Sequence, residues 1–237
     1  NKTVIDSIQE LIEKGANAKL RVKLKDFHYA DIAEIIYELS TDQAIYLIKL
    51  LDSEKTAEAL AEVDEDTRER ILEKLTVKEI AEEISELDSD DAADLMAELS
   101  EERQERVMSE ISDTSHVDDI RELLAYDENT AGGLMAKEMV VVQEGLSVLK
   151  CLNAMRAQAE EVTRVHSIYV VDDKNRLKGR LSLKDLITAN SKAIVKDVCI
   201  PKVDFVTADV SGEEVAKIMT KYDLEAIPVV NDKKVLL

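Results

Sequence analysis

HYADIAEIIYEL (28–39), STDQAIYLIKLL (40–51), DSEKTAEALAEV (52–63), DEDTRERILEKL (64–75), TVKEIAEEISEL (76–87), DSDDAADLMAEL (88–99) and SEERQERVMSEI (100–111) are seven consecutive blocks of 12 residues. Six of them open on a residue suited to cap a helix N-terminus, and all seven close on Leu, Val or Ile. Apolar residues concentrate at block positions 5, 8, 9 and 12, the spacing of one helical stripe. Position 9 reads Ile36, Ile48, Leu60, Leu72, Ile84, Met96 and Met108. A period of 12 does not keep a stripe aligned at 3.6 residues per turn, and a cap recurs in every block. The spacing therefore predicts separate helices of about 9 or 10 residues joined by sharp turns. Helices that short are marginal alone, so each must bury its stripe against neighbours in a compact stack or superhelix.

Charge follows the same division. Residues 1–127 carry 35 Asp and Glu against 15 Lys and Arg, whereas residues 128–237 carry 16 of each. The whole net charge of −20 thus sits on the helical half, which calls for a cation, a basic partner or a use for mutual repulsion. Phosphate backbones are bound by clustered Lys and Arg, so this balance excludes a nucleic-acid partner. At 237 residues and 45% hydrophobic, the chain can form two or three modest domains with real cores. With no Trp and 3% aromatic residues, those cores rest on Leu, Ile, Val, Ala and Met. Cys151 and Cys199 are expected to be reduced thiols in a cytosolic setting. No apolar run reaches the roughly 18 to 20 residues that span a bilayer, and no signal-peptide pattern opens the chain; a soluble segment is expected.

The block 88–99 has no Lys or Arg. Asp90 and Asp94 lie one helical turn apart, where like charges repel, and Glu58 holds the block position of Asp94 three repeats earlier. Such oxygen donors suit Mg²⁺ or Ca²⁺; with three His and two distant Cys, zinc has little support. Acids near short helix N-termini also favour the dipole and solvate the surface, so any one carboxylate can be purely structural.

From Thr130 the texture changes to strand-like segments, Met139–Val142, Ile168–Val171 and Ile227–Val230, between amphipathic helices. The pattern occurs twice, from Met139 to Ile187 and from Lys202 to Leu237, each reading strand, helix, strand, turn, strand. The two copies resemble paired CBS domains, modules that bind regulatory ligands, usually adenine nucleotides. The first copy has the ending Gly179, Leu181, Ser182, Asp185; the second stops at Leu237 before its equivalent, so a fragment cut inside its last module, or a disordered end, is expected. The combination is more specific. An acidic short-helix region with FHYADIAEII (27–36) and DDAADLMAEL (90–99), then YDENTAGGLM (126–135), then IYVVD (168–172), SLKDL (182–186) and YDLEAIPVV (222–230), resembles the cytosolic part of the MgtE magnesium transporters.

The expected architecture is α + α/β: an all-helical superhelix of short helices over 1–127, a first CBS domain with its junction over 128–198, and a truncated second CBS domain over 199–237. The resemblance implies Mg²⁺ ions joining the helical region to the CBS pair and holding a pore shut. It implies Glu58, Asp90 and Asp94 as ligands on the helical side, facing the Gly133 carbonyl, Glu213, the Thr220 carbonyl and Asp223. One family carboxylate is replaced by Ser211. It further implies an adenine nucleotide such as ATP near Ser182, Lys184 and Asp185, a homodimer formed through the CBS domains, a C-terminal transmembrane domain of the same chain, and a place at the cytoplasmic face of the membrane. Ser167 stands where an aromatic residue would stack on adenine.

Each position has a plainer reading. Gly132 and Gly133 can form a helix C-cap and turn, Asp223 can cap a strand turn, and Ser182 with Asp185 can be an N-cap and first turn. The rival functions are a nucleotide-sensing scaffold that docks a basic partner, and the regulatory arm of an enzyme. Within this chain no nucleophile elbow, phosphate-cradling loop or triad is present, so no catalysis is expected.

Overall fold

A computed structural model of the chain describes residues 2–160, 162 and 165–237. The helical half comprises α1 (Lys2–Glu13), α2 (Asn17–Leu24), α3 (Tyr29–Glu38), α4 (Thr41–Leu50), α5 (Ser53–Glu62), α6 (Glu65–Lys74), α7 (Val77–Ile84), α8 (Ser89–Ala97), α9 (Glu101–Glu110) and α10 (Thr114–Leu124). Each repeat block is one helix; His28, Ser40, Asp52, Asp64, Thr76 and Ser100 hold the N-cap position, with Asp52 and Ser100 making no side-chain capping bond. Ser40, Asp64 and Thr76 accept from the backbone N–H three residues on, at 3.3, 3.0 and 3.2 Å. His28, the opener that sequence reading left uncapped, also caps: its Nδ1 accepts from Ala30 N–H at 3.2 Å, and Asp31 accepts from His28 N–H.

Helices pack mainly on the next but one, α3 on α5, α4 on α6, α5 on α7 and α7 on α9, so the stripes of alternate blocks share a core. Ile36, Leu60, Leu72, Ile84 and Met96 at position 9 are all buried. Four stripe positions carry polar side chains: Thr56, Arg68, Glu83 and Gln104. Thr56 and Glu83 answer each other, the buried Thr56 hydroxyl lying 2.8 and 3.0 Å from the Glu83 carboxylate oxygens across α5 and α7. Basic side chains serve helix C-termini, where carbonyls lack intrahelical partners. Arg68 donates to the Leu60, Ala61 and Val63 carbonyls and pairs with Glu98. Arg103 donates to Leu72 and Leu75, and Lys55 to Leu24 and Lys25.

The chain divides into two compact units, Asn1–Leu87 with Asp91–Asp118, and Asp88–Asp90 with Asp119–Leu237. The second unit contains α11 (Ala131–Leu134), β1 (Val140–Gln143), α12 (Val148–Ala159), β2 (Ile168–Val171), β3 (Leu177–Leu181), α13 (Leu183–Thr188), α14 (Val195–Val198), β4 (Val206–Thr207), α15 (Gly212–Tyr222) and β5 (Val229–Val230). Strands β1 and β2 pair in parallel, β2 and β3 antiparallel with a bulge at Val170/Val171, and β4 pairs with β5 in parallel. After β5 the chain turns and Leu236 bridges back to Val230, completing strand, helix, strand, turn, strand a second time. Strand β2 is buried on both faces: Ile168 and Val170 join the core of the first module with Val140, Cys151 and Leu181. Tyr169 and Val171 meet Val230 and Leu236 of the second. Both cysteines are free thiols. No described helix is long and apolar enough to cross a membrane.

Candidate metal and nucleotide sites

Asp90 and Asp94 occupy the first turns of α8, Asp90 half-buried and Asp94 exposed. Glu58, half-buried, lies on α5. All three residues already have an interaction partner within the protein. The start of α8 is anchored by a residue that sequence reading missed. The Glu138 carboxylate accepts from Ser89 N–H at 3.0 Å and from Ser89 Oγ at 2.7 Å, and the Lys137 N–H donates to Ser89 Oγ at 2.8 Å. Lys137 Nζ in turn lies 3.0 Å from Glu122. Ser89 is fully buried, so Asp90 projects from a tightly held turn. No single signal marks Glu138 in the sequence, since it lies 49 residues from its partner.

The TAGGLM segment forms α11, and its glycines serve close approach. A Cβ at Gly132 would stand 2.6 Å from the Tyr126 ring, and one at Gly133 would stand 2.3 Å from the Asp127 carbonyl oxygen. Neither has positive φ, so the reading as a C-cap turn gives way to an interior helical position dictated by crowding. Thr130 caps this turn, and Ala131 and Gly132 donate to the Val210 and Ala208 carbonyls at 2.7 and 2.9 Å. Gly212 N–H donates back to the Asn129 carbonyl. The junction is thereby laced to the start of α15, which carries Glu213 in its first turn. Ser211 is the N-cap of α15, accepting from Glu214 N–H at 3.3 Å, which gives the residue in the missing carboxylate's place a structural role.

Asp223 ends α15 in the left-handed conformation at φ 51°, where it caps a helix and not a strand turn. Its N–H returns to Thr220 at the helix end. A carboxylate there sits at the negative end of the helix dipole, an arrangement that a cation relieves. Glu213, Thr220 and Asp223 are all exposed. Among the described residues, no three His, Cys, Asp or Glu side chains gather at metal-binding spacing.

Ser182 and Asp185 form a complete capping box on α13: Asp185 N–H donates to Ser182 Oγ at 3.1 Å, and Ser182 N–H to Asp185 Oδ2 at 3.1 Å. The Ser182 side-chain hydrogen bond holds the Asp185 carboxyl below the usual range. Lys184 is exposed. None of these three lines the cavity of about 320 Å³ formed by Ser167, Tyr169, Arg180, Lys202, Tyr222 and Asp223 with their neighbours. The exposed Tyr222 ring with Arg180 and Lys202 can stack a base and pair with phosphates, while Asp204, Asp223 and Glu225 line the same cleft and the buried Tyr169 forms part of its wall. Sequence reading reached Ser167 and Asp223 but missed Tyr169, Arg180, Lys202 and Tyr222, which come from four separate segments.

Residues 27–129 match the family described as the MgtE intracellular N domain, and residues 131–192 and 195–237 match the CBS domain. The magnesium transporter MgtE of Thermus thermophilus is 34% identical over 229 residues, covering 96% of this chain and 51% of that protein. The magnesium transporter MgtE of Enterococcus faecalis is 33% identical over 109 residues, 46% of this chain and 24% of that protein. The chain spans about half the length of the first of these relatives. Among solved structures, the cytosolic domain of the Mg²⁺ channel MgtE in complex with ATP superposes with a TM-score of 0.91 at 34% identity, covering 98% of this chain and 94% of that one. The soluble part of a magnesium transporter shares the fold, with a TM-score of 0.87 at 24% identity over 100% of this chain and 93% of that one. The acid-rich helical repeat, the glycine junction and the doubled β–α–β module therefore have one common source: the chain belongs to the MgtE magnesium transporter family and corresponds to its cytosolic region.

Proposed function

We propose that this chain is the Mg²⁺-sensing regulatory region of a magnesium transporter, in which Mg²⁺ bridges the acidic helical region and the CBS pair and so favours the closed pore. The observation that carries the reading is the confinement of all net charge, −20, to the helical half, in a chain whose second module ends α15 on Asp223 at the negative pole of its dipole. The donors Glu58, Asp90, Asp94, Glu213 and Asp223, with the Gly133 and Thr220 carbonyls, are all oxygen, the set that Mg²⁺ prefers. More than one ion is required. Glu213 and Thr220 are seven residues apart on α15, about 10 Å along its axis, too far for one octahedral ion with ligands at about 2.1 Å. Several weak sites suit the task, because moving a two-state equilibrium from 1:99 to 99:1 takes roughly 5.5 kcal/mol of differential binding. Without the ions, the carboxylates assigned to the two sides repel one another; with them, the closed arrangement is preferred.

The rest of the chain in this reading is a transmembrane pore, and this region lies at the cytoplasmic face of the membrane. It acts as a homodimer; the exposed Leu183 and Ile187, one turn apart on α13, supply an apolar face for a second copy. It performs no catalysis. ATP is a second ligand, supported by the cleft of Tyr169, Tyr222, Arg180 and Lys202 and by the ATP complex of the similar cytosolic domain.

Isothermal titration separates these elements. Mg²⁺ should bind at more than one site per chain, and Asp94→Asn or Asp223→Asn should reduce the number or affinity. Binding unchanged by both substitutions would overturn the assignment. Arg180→Ala should weaken ATP at least tenfold while leaving Mg²⁺ binding intact.

A further inference from the structure

The helical unit holds a groove that the Mg²⁺ reading does not use. It has a volume of about 1100 Å³ and is bounded by α1, the turn before α3, α3 itself and the α5–α6 turn. Its floor is apolar, with Ile35 4% and Val63 5% exposed, and Phe27 half-buried along the wall. At its mouth Tyr37 is 64% exposed, a large aromatic surface left to water. The rim is acidic. Asp6, Asp26, Glu34, Glu38 and Glu62 line it and are exposed; Asp31 and Asp64 also line it but serve as helix-cap acceptors. None of the described lining residues is Lys or Arg.

We infer that this groove docks a basic amphipathic helix of a partner protein, its apolar stripe on Phe27 and Tyr37 above the floor of Ile35 and Val63 and its Lys or Arg side chains on the carboxylate rim. Size favours a helix over a metabolite. An α-helix about 10 Å across, with a pitch of 5.4 Å, fills roughly 420 Å³ per turn, so the groove holds two to three turns, whereas small-molecule pockets run to about 1,000 Å³ and enclose their ligand. Chemistry favours a cationic one. An apolar floor with a single-sign rim selects partners that present both a stripe and flanking charge of opposite sign, with anchors at i, i+3, i+4 and i+7. A bare divalent ion uses the rim and leaves the floor and Tyr37 idle. None of the carboxylates assigned to Mg²⁺ lines the groove, so the two readings fail separately.

The test uses an 18-residue fluorescent peptide with Leu at i, i+3, i+4 and i+7 and Lys elsewhere, titrated by anisotropy into the 237-residue chain at about 0.1 M salt. A scrambled peptide of the same composition serves as control. Saturable binding is expected, at least tenfold tighter than the scrambled peptide, and at least tenfold weaker with Glu34→Lys/Glu38→Lys and with Tyr37→Ser. Circular dichroism establishes that the variants fold, and Tyr37→Ser alone decides if the double variant does not. Equal binding of the scrambled peptide would reduce the effect to general polyelectrolyte attraction and overturn the proposal. So would a Glu101→Lys/Glu102→Lys variant, altered at the exposed start of α9 outside the groove, that weakens binding as much as the rim variant does.

Discussion

Glu83 is the residue at which the helical unit departs furthest from its own pattern. It fills a stripe position held by Ile, Leu, Val or Ala in the other blocks, and burial pushes its carboxyl up to about 7, against the hydrogen bond from Thr56 that lowers it and with Glu82 and Glu86 adding to the rise. In the unfolded chain the same group titrates near 4.5. The folded state thus keeps a proton that the unfolded state has lost. The stabilisation from the protonated form is complete below about pH 4.5 and disappears as pH rises to about 7. The difference amounts to about 3 kcal/mol. Glu83→Gln keeps a neutral partner for Thr56, so it should raise the denaturation midpoint at pH 8 and change it little at pH 5; an equal shift at both would refute the burial argument. At the junction, Gly133→Ala drives a methyl group to within 2.3 Å of the Asp127 carbonyl. It should cost about 1–3 kcal/mol by chemical denaturation, and an unchanged midpoint would show that the turn yields.

The helices are where the sequence was most legible. A cap every 12 residues and a stripe at four block positions define equal short helices, and those signals are local, so the reading needed no knowledge of packing. The polar interruptions were not legible, because each is resolved by a partner far away: Thr56 and Glu83 are 27 residues apart, and Arg68 and Glu98 are 30 apart. Arg68→Met leaves Glu98, whose side chain is 15% exposed, without its cation and the end of α5 without its cap. A loss of about 3 kcal/mol is expected, and a change under about 0.5 kcal/mol, the scatter of ordinary surface substitutions, would show that the pair is incidental. Helix α15 makes the opposite case. Asp223→Asn removes a carboxylate from the negative end of the dipole and keeps a residue that tolerates positive φ, so without divalent ions the chain should be as stable or slightly more so. In Mg²⁺ the variant should lose part of the stabilisation that wild type gains. Equal thermal shifts for both proteins would remove Asp223 from the ligand set.

At the scale of the molecule, composition revealed the division of labour before any fold was known: a charged helical half and a neutral, doubled β–α–β half. The family resemblance supplied the proposed metal ligands and the proposed nucleotide positions Ser182, Lys184 and Asp185; none of these three nucleotide positions lines the cleft. The cleft itself escaped sequence reading, since Tyr169, Arg180, Lys202 and Tyr222 meet only when β2, β3, the stretch before β4 and the end of α15 come together. The anchoring of α8 by Glu138 was hidden for the same reason. The central quantity is the linkage between Mg²⁺ binding at the proposed carboxylates and the compactness of the chain. Small-angle X-ray scattering across a Mg²⁺ titration, at constant ionic strength, reads that linkage directly. The account predicts that the radius of gyration falls as Mg²⁺ is added and that Asp90→Ala with Asp94→Ala shifts the fall to higher concentration; a radius that stays constant in the wild-type chain would contradict it.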